Sequence, residues 1–150
     1  MPIDTAMKKP LLLALFLCPL LFCSAQKERV IVGAEQTKEY LPILKNKRVA
    51  IFSNHTGMVG SKHTLDVLLE NKINVVAIFS PEHGFRGTAD AGEHVSSSVD
   101  EKTGVPILSL YDGNLGRPSE ANMRKFDILV VDIQDVGLRF YTYYASMVRL

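Results

Sequence analysis

The chain has 150 residues, 47% of them hydrophobic and 22% charged, and a net charge of +1. That is ordinary globular composition at about the size of one domain, and it excludes a disordered or fibrous chain. A balance so near neutral gives no electrostatic footprint for nucleic acid or for an anionic membrane surface.

At the N-terminus, Lys8 and Lys9 precede an apolar run over residues 11–22, broken only by Pro19, and then the small-residue stretch Cys23-Ser24-Ala25. A basic segment, a short apolar segment and an A-x-A-like site predict a signal peptide over residues 1–25 and an exported protein, periplasmic or extracellular. A transmembrane anchor needs about 20 apolar residues, so no membrane span is expected in the mature form. Met7, directly before the two lysines, is an alternative start to Met1. Cleavage removes Lys8, Lys9 and Asp4, two of the 17 basic and one of the 16 acidic residues, and leaves the mature chain without net charge. Cys18 and Cys23 also fall in this segment, so the mature chain is expected to carry no thiol and no disulfide. Lipidation at Cys23 is the competing reading, against which the bulky Phe22 in front of it argues.

Residues 26–47 read as a polar lead-in. Beyond them four apolar runs recur at 49–52, 75–79, 105–110 and 128–133. Each is short, rich in Val and Ile and apolar on both faces, which predicts strands buried in a parallel sheet. Between the first two, Ser61 is expected to cap a helix through Lys72, with Leu65, Leu68 and Leu69 as its apolar stripe. Between the last two, Ser119 is expected to cap a shorter helix, with Glu120 in its first turn and Met123 facing inward. Strands alternating with helices predict an α/β fold with a doubly wound, mainly parallel sheet over residues 48–150. Residues 139–150 place Phe140, Tyr143, Tyr144, Met147 and Val148 at helical spacing without a glycine cap or polar tail, which predicts that the domain continues beyond residue 150.

In an open parallel sheet the ligand crevice lies outside the carboxyl ends of the strands. Here the first strand runs into Ser53-Asn54-His55-Thr56-Gly57 and the second into Ser80-Pro81-Glu82-His83-Gly84-Phe85-Arg86-Gly87. The third runs into Tyr111-Asp112-Gly113, and the fourth into Gln134-Asp135-Val136-Gly137-Leu138-Arg139. Residues 81–104 show no clear period, and connections of that length are uncommon unless functional or disordered. The first strand lacks a G-x-G-x-x-G turn, and the chain has no P-loop, no H-E-x-x-H and no G-x-S-x-G. Carboxylates remain. Glycoside cleavage needs two of them, one to protonate the leaving oxygen and one to activate water or attack the sugar. Glu82, Glu93, Asp132 and Asp135 are candidates for that pair, with Phe85, Tyr141 and Tyr143 as surfaces for stacking a sugar ring.

The stretches SNHTG, FSPEHGFRG, AGEH, LYDGNLGRPS and VVDIQDVGLRFYTYYASM together resemble the exo-β-N-acetylmuramidase family, whose members release N-acetylmuramic acid from the non-reducing ends of peptidoglycan fragments. The resemblance implies a Rossmann-like domain, truncated here before a second domain that completes a cleft. A portion lacking that second domain is expected to be inactive alone. It also implies Glu82 as the catalytic acid and Glu93 as the second acidic residue. Asn54, His83, Arg86, His94, Asp132, Gln134, Asp135, Arg139 and Tyr141 become candidates for holding or supporting a peptidoglycan-derived muramyl saccharide, with no metal and no cofactor. Glu82 suits an acid because Pro81 fixes the backbone before it and Phe85 is expected to lower the local dielectric. His55 departs from the family pattern, which has a small or amide residue there. Two other readings stand: a metal-dependent hydrolase built on His55, His83, His94 and a carboxylate, and a non-catalytic cell-wall sugar-binding module.

Overall fold

The computed structural model describes residues 29–87, 90, 96–110 and 117–150. The expected signal peptide at 1–25 lies outside the described residues. Ile31–Leu150 form one compact unit. It begins with a 3-10 turn at Gly33–Glu35, then α1 (Thr37–Leu44), β1 (Arg48–Ser53), β2 (Met58–Val59), β3 (Lys62–His63) and α2 (Thr64–Glu70). β4 (Asn74–Ser80), β5 (Ser98–Val99), β6 (Pro106–Ser109), α3 (Glu120–Met123), β7 (Ile128–Asp132) and α4 (Tyr143–Arg149) follow.

The four expected strands are β1, β4, β6 and β7, each within one residue at either end. They lie in the order β6-β4-β1-β7 and every pair is parallel, so the fold is the expected α/β sheet. β1 pairs on one side with β4 (Ile51 with Ile78, Phe52 with Phe79) and on the other with β7 (Ile51 with Val130, Ser53 with Asp132). Alternate residues serve opposite faces. Val49 and Ile51 join Leu65, Leu68, Ile78 and Leu44 in one core layer. Ala50 and Phe52 join Ala77, Phe79 and Leu110 in the other, with Met123, Met147 and Leu150 packed against it. Helices thus cover both faces, which is why these strands are apolar throughout.

The order third, second, first, fourth means that the chain leaves β1 toward one side of the sheet and returns later, as β7, on the other. The gap outside the carboxyl ends of β1 and β7 is therefore the point where a ligand crevice opens. At the opposite end the Arg48 guanidinium and backbone N–H both donate to Asp127, holding its carboxyl down to about 2 and tying the start of β1 to that of β7.

Three local features depart from expectation. The lead-in carries α1, whose Leu44 is buried in the core, although Pro42 within it breaks the helical signal. Ser61 caps no helix, because Gly60 (φ +61°) and Ser61 form the turn of a β2–β3 hairpin, and α2 starts later with the His63 ring as its cap. The loop at 81–104 contains β5, a two-residue edge strand antiparallel to β6. Ser119 does cap α3, accepting from the Asn122 N–H at 3.2 Å.

Candidate active site

Register places a row of short polar side chains across the carboxyl edge of the sheet. Ser80 of β4 pairs with Ser109 of β6, Ser53 of β1 pairs with Asp132 of β7, and Ser53 and Ser80 follow the paired Phe52 and Phe79. Ser53 and Ser80 are fully buried, so this row is a floor on which the loops rest.

The loop after β1 is built on Asn54, which has no exposure. Its side-chain oxygen accepts from the Thr56 N–H at 2.9 Å and the Thr56 hydroxyl at 2.7 Å, an Asx-type turn. The Thr56 oxygen in turn accepts from the Gln134 N–H at 2.9 Å, joining this loop to the one after β7. Gly57 sits where these loops meet. A β-carbon there would stand 2.2 Å from Ser53 Oγ and 3.0 Å from the Asp132 carbonyl oxygen. Gly57→Ala is therefore expected to destabilise the fold by about 1–3 kcal/mol, the usual cost of overpacking. A denaturant midpoint unchanged from the parent would show that the β1 and β7 loops are not in this close contact.

The loop after β4 brings Glu82. It is half-buried, and its Oε2 accepts from the Thr142 hydroxyl at 2.7 Å. Thr142 occupies the cap position of α4 but spends its hydroxyl on Glu82 rather than on its own helix. Asp135 supplies that missing interaction: one carboxylate oxygen accepts from the Tyr144 N–H at 3.2 Å, the other from the Gly137 N–H at 2.7 Å. Tyr143 is half-buried between these groups. Burial, with the Glu82 charge adding to it, raises its phenol above the ordinary value, against the pull of the neighbouring Asn54. The Asn54 amide nitrogen is buried with the Tyr143 phenol as a polar neighbour, at a geometry short of a full hydrogen bond. Asn54, Glu82 and Asp135 thus converge on the start of α4: a carboxylate, an amide donor and a phenol share one place.

Other expected site residues lie elsewhere. Arg86 makes a two-point contact with Asp100, Nε at 3.0 Å and an Nη at 2.9 Å, and stacks its guanidinium over the Phe85 ring. Phe85, expected to lower the dielectric beside Glu82 and to offer a surface to a sugar ring, is instead buried in the core, where its ring and that of His63 meet edge to face, so it is closed to a sugar. Asp132 accepts from the Thr64 hydroxyl and faces a cavity of about 740 Å³ that Tyr40 and Gln134 also line. His83 is half-buried in the turn after β4 at φ +69°, a conformation in which His is enriched among non-glycine residues. Arg139 and Tyr141 are exposed, the latter beside the Phe140 ring at 5.2 Å. His55 lies against Gly87, where a β-carbon would stand 2.3 Å from the His55 Nδ1. Glu93, His94 and Asp112 lie outside the described residues. Among the described residues no group of three or more His, Cys, Asp or Glu is placed to hold a metal ion.

Thr142, His63 and Thr64 escaped the sequence reading. A Thr just ahead of an aromatic helix reads as that helix's own cap, and nothing local signals that it serves Glu82, sixty positions earlier.

A family model described as the N-terminal part of the exo-beta-N-acetylmuramidase NamZ matches residues 49–150. The peptidoglycan beta-N-acetylmuramidase NamZ of Bacillus subtilis (strain 168) is 46% identical over 127 residues, which are 83% of this chain and 30% of that protein. Two solved structures of DUF1343 family proteins from Bacteroides fragilis NCTC 9343 share the fold. One superposes with a TM-score of 0.69 at 72% identity, over 82% of this chain and 31% of its own. The other has a TM-score of 0.68 at 38% identity, over 78% and 29%. The chain spans about 30% of the length of these relatives.

Proposed function

Since this chain belongs to the family of exo-beta-N-acetylmuramidase NamZ N-terminal domains, we propose that the protein it forms is a peptidoglycan glycosidase that removes N-acetylmuramic acid from the non-reducing ends of glycan fragments. One observation carries this reading: Glu82 sits at the carboxyl end of a buried parallel strand, held by the Thr142 hydroxyl, with Asn54 and Tyr143 beside it. A carboxyl group fixed just beyond the carboxyl end of a parallel strand is suited to protonating a glycosidic oxygen.

Glu82 is the proton donor. The Thr142 hydroxyl donates to Oε2 of Glu82 throughout, which leaves Oε1 to carry the proton toward the glycosidic oxygen. Tyr143, supported by the buried Asn54 side chain, presents its phenol to a sugar hydroxyl or the acetamido group. Glu93 completes the carboxyl pair. The protein acts after export, with residues 1–25 as its signal peptide, and a further part of the protein beyond residues 48–150 closes the cleft over the sugar. No metal or nucleotide takes part.

Incubation of the complete gene product with a chromogenic β-N-acetylmuramoside tests the reaction class. Release of the chromophore, undiminished by a chelator, is expected. Tight binding without release would favour a sugar-binding module, and chelator-sensitive release a metal-dependent hydrolase.

A further inference from the structure

His63 is 5% exposed and makes two hydrogen bonds of opposite sense. Its Nδ1 lies 3.1 Å from the Leu65 N–H at the start of α2. A nitrogen that accepts carries no hydrogen, so the ring proton of the neutral imidazole sits on Nε2. Nε2 lies 2.8 Å from the Asn54 carbonyl oxygen and donates to it. The same oxygen accepts from the Gly57 N–H at 3.1 Å, closing the turn that follows β1. The ring edge meets Phe85, three residues beyond Glu82, with centroids 4.7 Å apart. The next residue, Thr64, donates its hydroxyl to Asp132 at the end of β7. His63 and its neighbour therefore touch the turn after β1, the loop after β4 and the end of β7.

Resting on the glycosidase reading above, we propose that His63 is a positioning residue, whose Nε2–H holds the Asn54 turn, and with it the buried Asn54 side chain beneath the site, in the geometry catalysis needs. The turn is also tied at Thr56 by the Gln134 N–H and at the Gly57 carbonyl by the Thr64 N–H, and the His63 bond adds a hold on the Asn54 carbonyl itself. The ring's other hydrogen bond, from the Leu65 N–H, fixes which ring nitrogen carries the proton, and so fixes the direction of the bond to Asn54. Protonating the ring would put a hydrogen on Nδ1 against the Leu65 N–H, so the arrangement requires the neutral form. The surroundings favour that form. Burial lowers the His63 pKa and Arg86 lowers it further, outweighing the Asn54 carbonyl, Asp66 and Asp132, which raise it. An unfolded chain takes up this proton near pH 6.5 while the folded one does not. The stability that His63 contributes is thus whole above that pH and falls as the pH drops below it.

Two substitutions separate positioning from scaffolding in the complete gene product. His63→Asn puts an amide oxygen where Nδ1 stood, which keeps the α2 cap but is too short to reach Asn54. His63→Gln reaches the Asn54 carbonyl with its NH2 and gives up the cap. The Asn variant, which keeps the cap but loses the ring contact with Phe85, is expected to melt between the parent and the Gln variant, yet to lose about 10-fold in kcat, since small misplacements of positioned groups carry penalties of this order or larger. The Gln variant is expected to melt lower and to keep more of its kcat. Amide exchange at Gly57 should quicken in the Asn variant and stay near parental in the Gln variant. Imidazole 15N shifts of the parent at neutral pH should show Nε2 protonated and Nδ1 bare. An Nδ1–H tautomer, or activity that tracks melting temperature across both variants, would overturn the proposal. If the parent shows no turnover of muramosides, the glycosidase reading fails, while the tautomer and the Gly57 exchange still decide the role of His63.

Discussion

Glu82→Gln is expected to lower kcat of the complete gene product on a natural glycan by about 10²-fold or more, with substrate binding retained. Gln preserves the shape of the side chain and can still accept from the Thr142 hydroxyl, so the loop after β4 should stay in place. What disappears is the transferable proton. An aryl glycoside with a good leaving group needs little protonation, so its turnover should fall far less than that of the natural substrate. This contrast distinguishes loss of an acid from general damage to the site, which would depress both equally. Turnover of the natural substrate near the parental rate would remove Glu82 from the role and direct attention to Glu93.

Arg86→Met should cost about 3 kcal/mol of stability, the lower end of the range for leaving a buried charge without its partner. Asp100 is 4% exposed and receives two hydrogen bonds from Arg86 and one, at 2.6 Å, from the Thr103 hydroxyl. Arg86 is partly open to solvent, which is why the low end applies. Met keeps the stem that packs on Phe85 but strands the carboxylate. Adding Asp100→Asn to the same variant removes that charge and should restore much of the loss, as a denaturation midpoint would record. A single variant as stable as the parent would show that Arg86 does not serve Asp100, and would return it to the group of sugar-binding candidates.

Much of the fold was legible because the physics was local. The runs around Ile51, Ile78, Ile107 and Val130 are apolar on both faces only because helices cover both sides of the sheet. The hairpin of β2 and β3 and the edge strand β5 were not legible, since two residues are too few to establish a period. α1 was hidden by Pro42, which removes a backbone donor in mid-helix. Ser61 was the natural choice for a cap, yet Gly60 commits it to a turn, and the ring nitrogen of His63 takes the position.

The site divides along the same line. That Asn54, Glu82 and Asp135 come together could be anticipated because each follows a strand at its carboxyl end. The partners that give them meaning could not, since they are fixed by tertiary packing: Thr142 for Glu82, Gln134 for Thr56, Asp100 for Arg86.

The most direct measurement follows the sugars that the complete gene product liberates from glycan strands carrying N-acetylmuramic acid at their non-reducing ends. Free N-acetylmuramic acid is expected as the first product, with each strand shortened by that one residue, and the Glu82→Gln variant is expected to release none. Strands left intact by the parent protein, or cut internally into longer fragments, would contradict the proposed function.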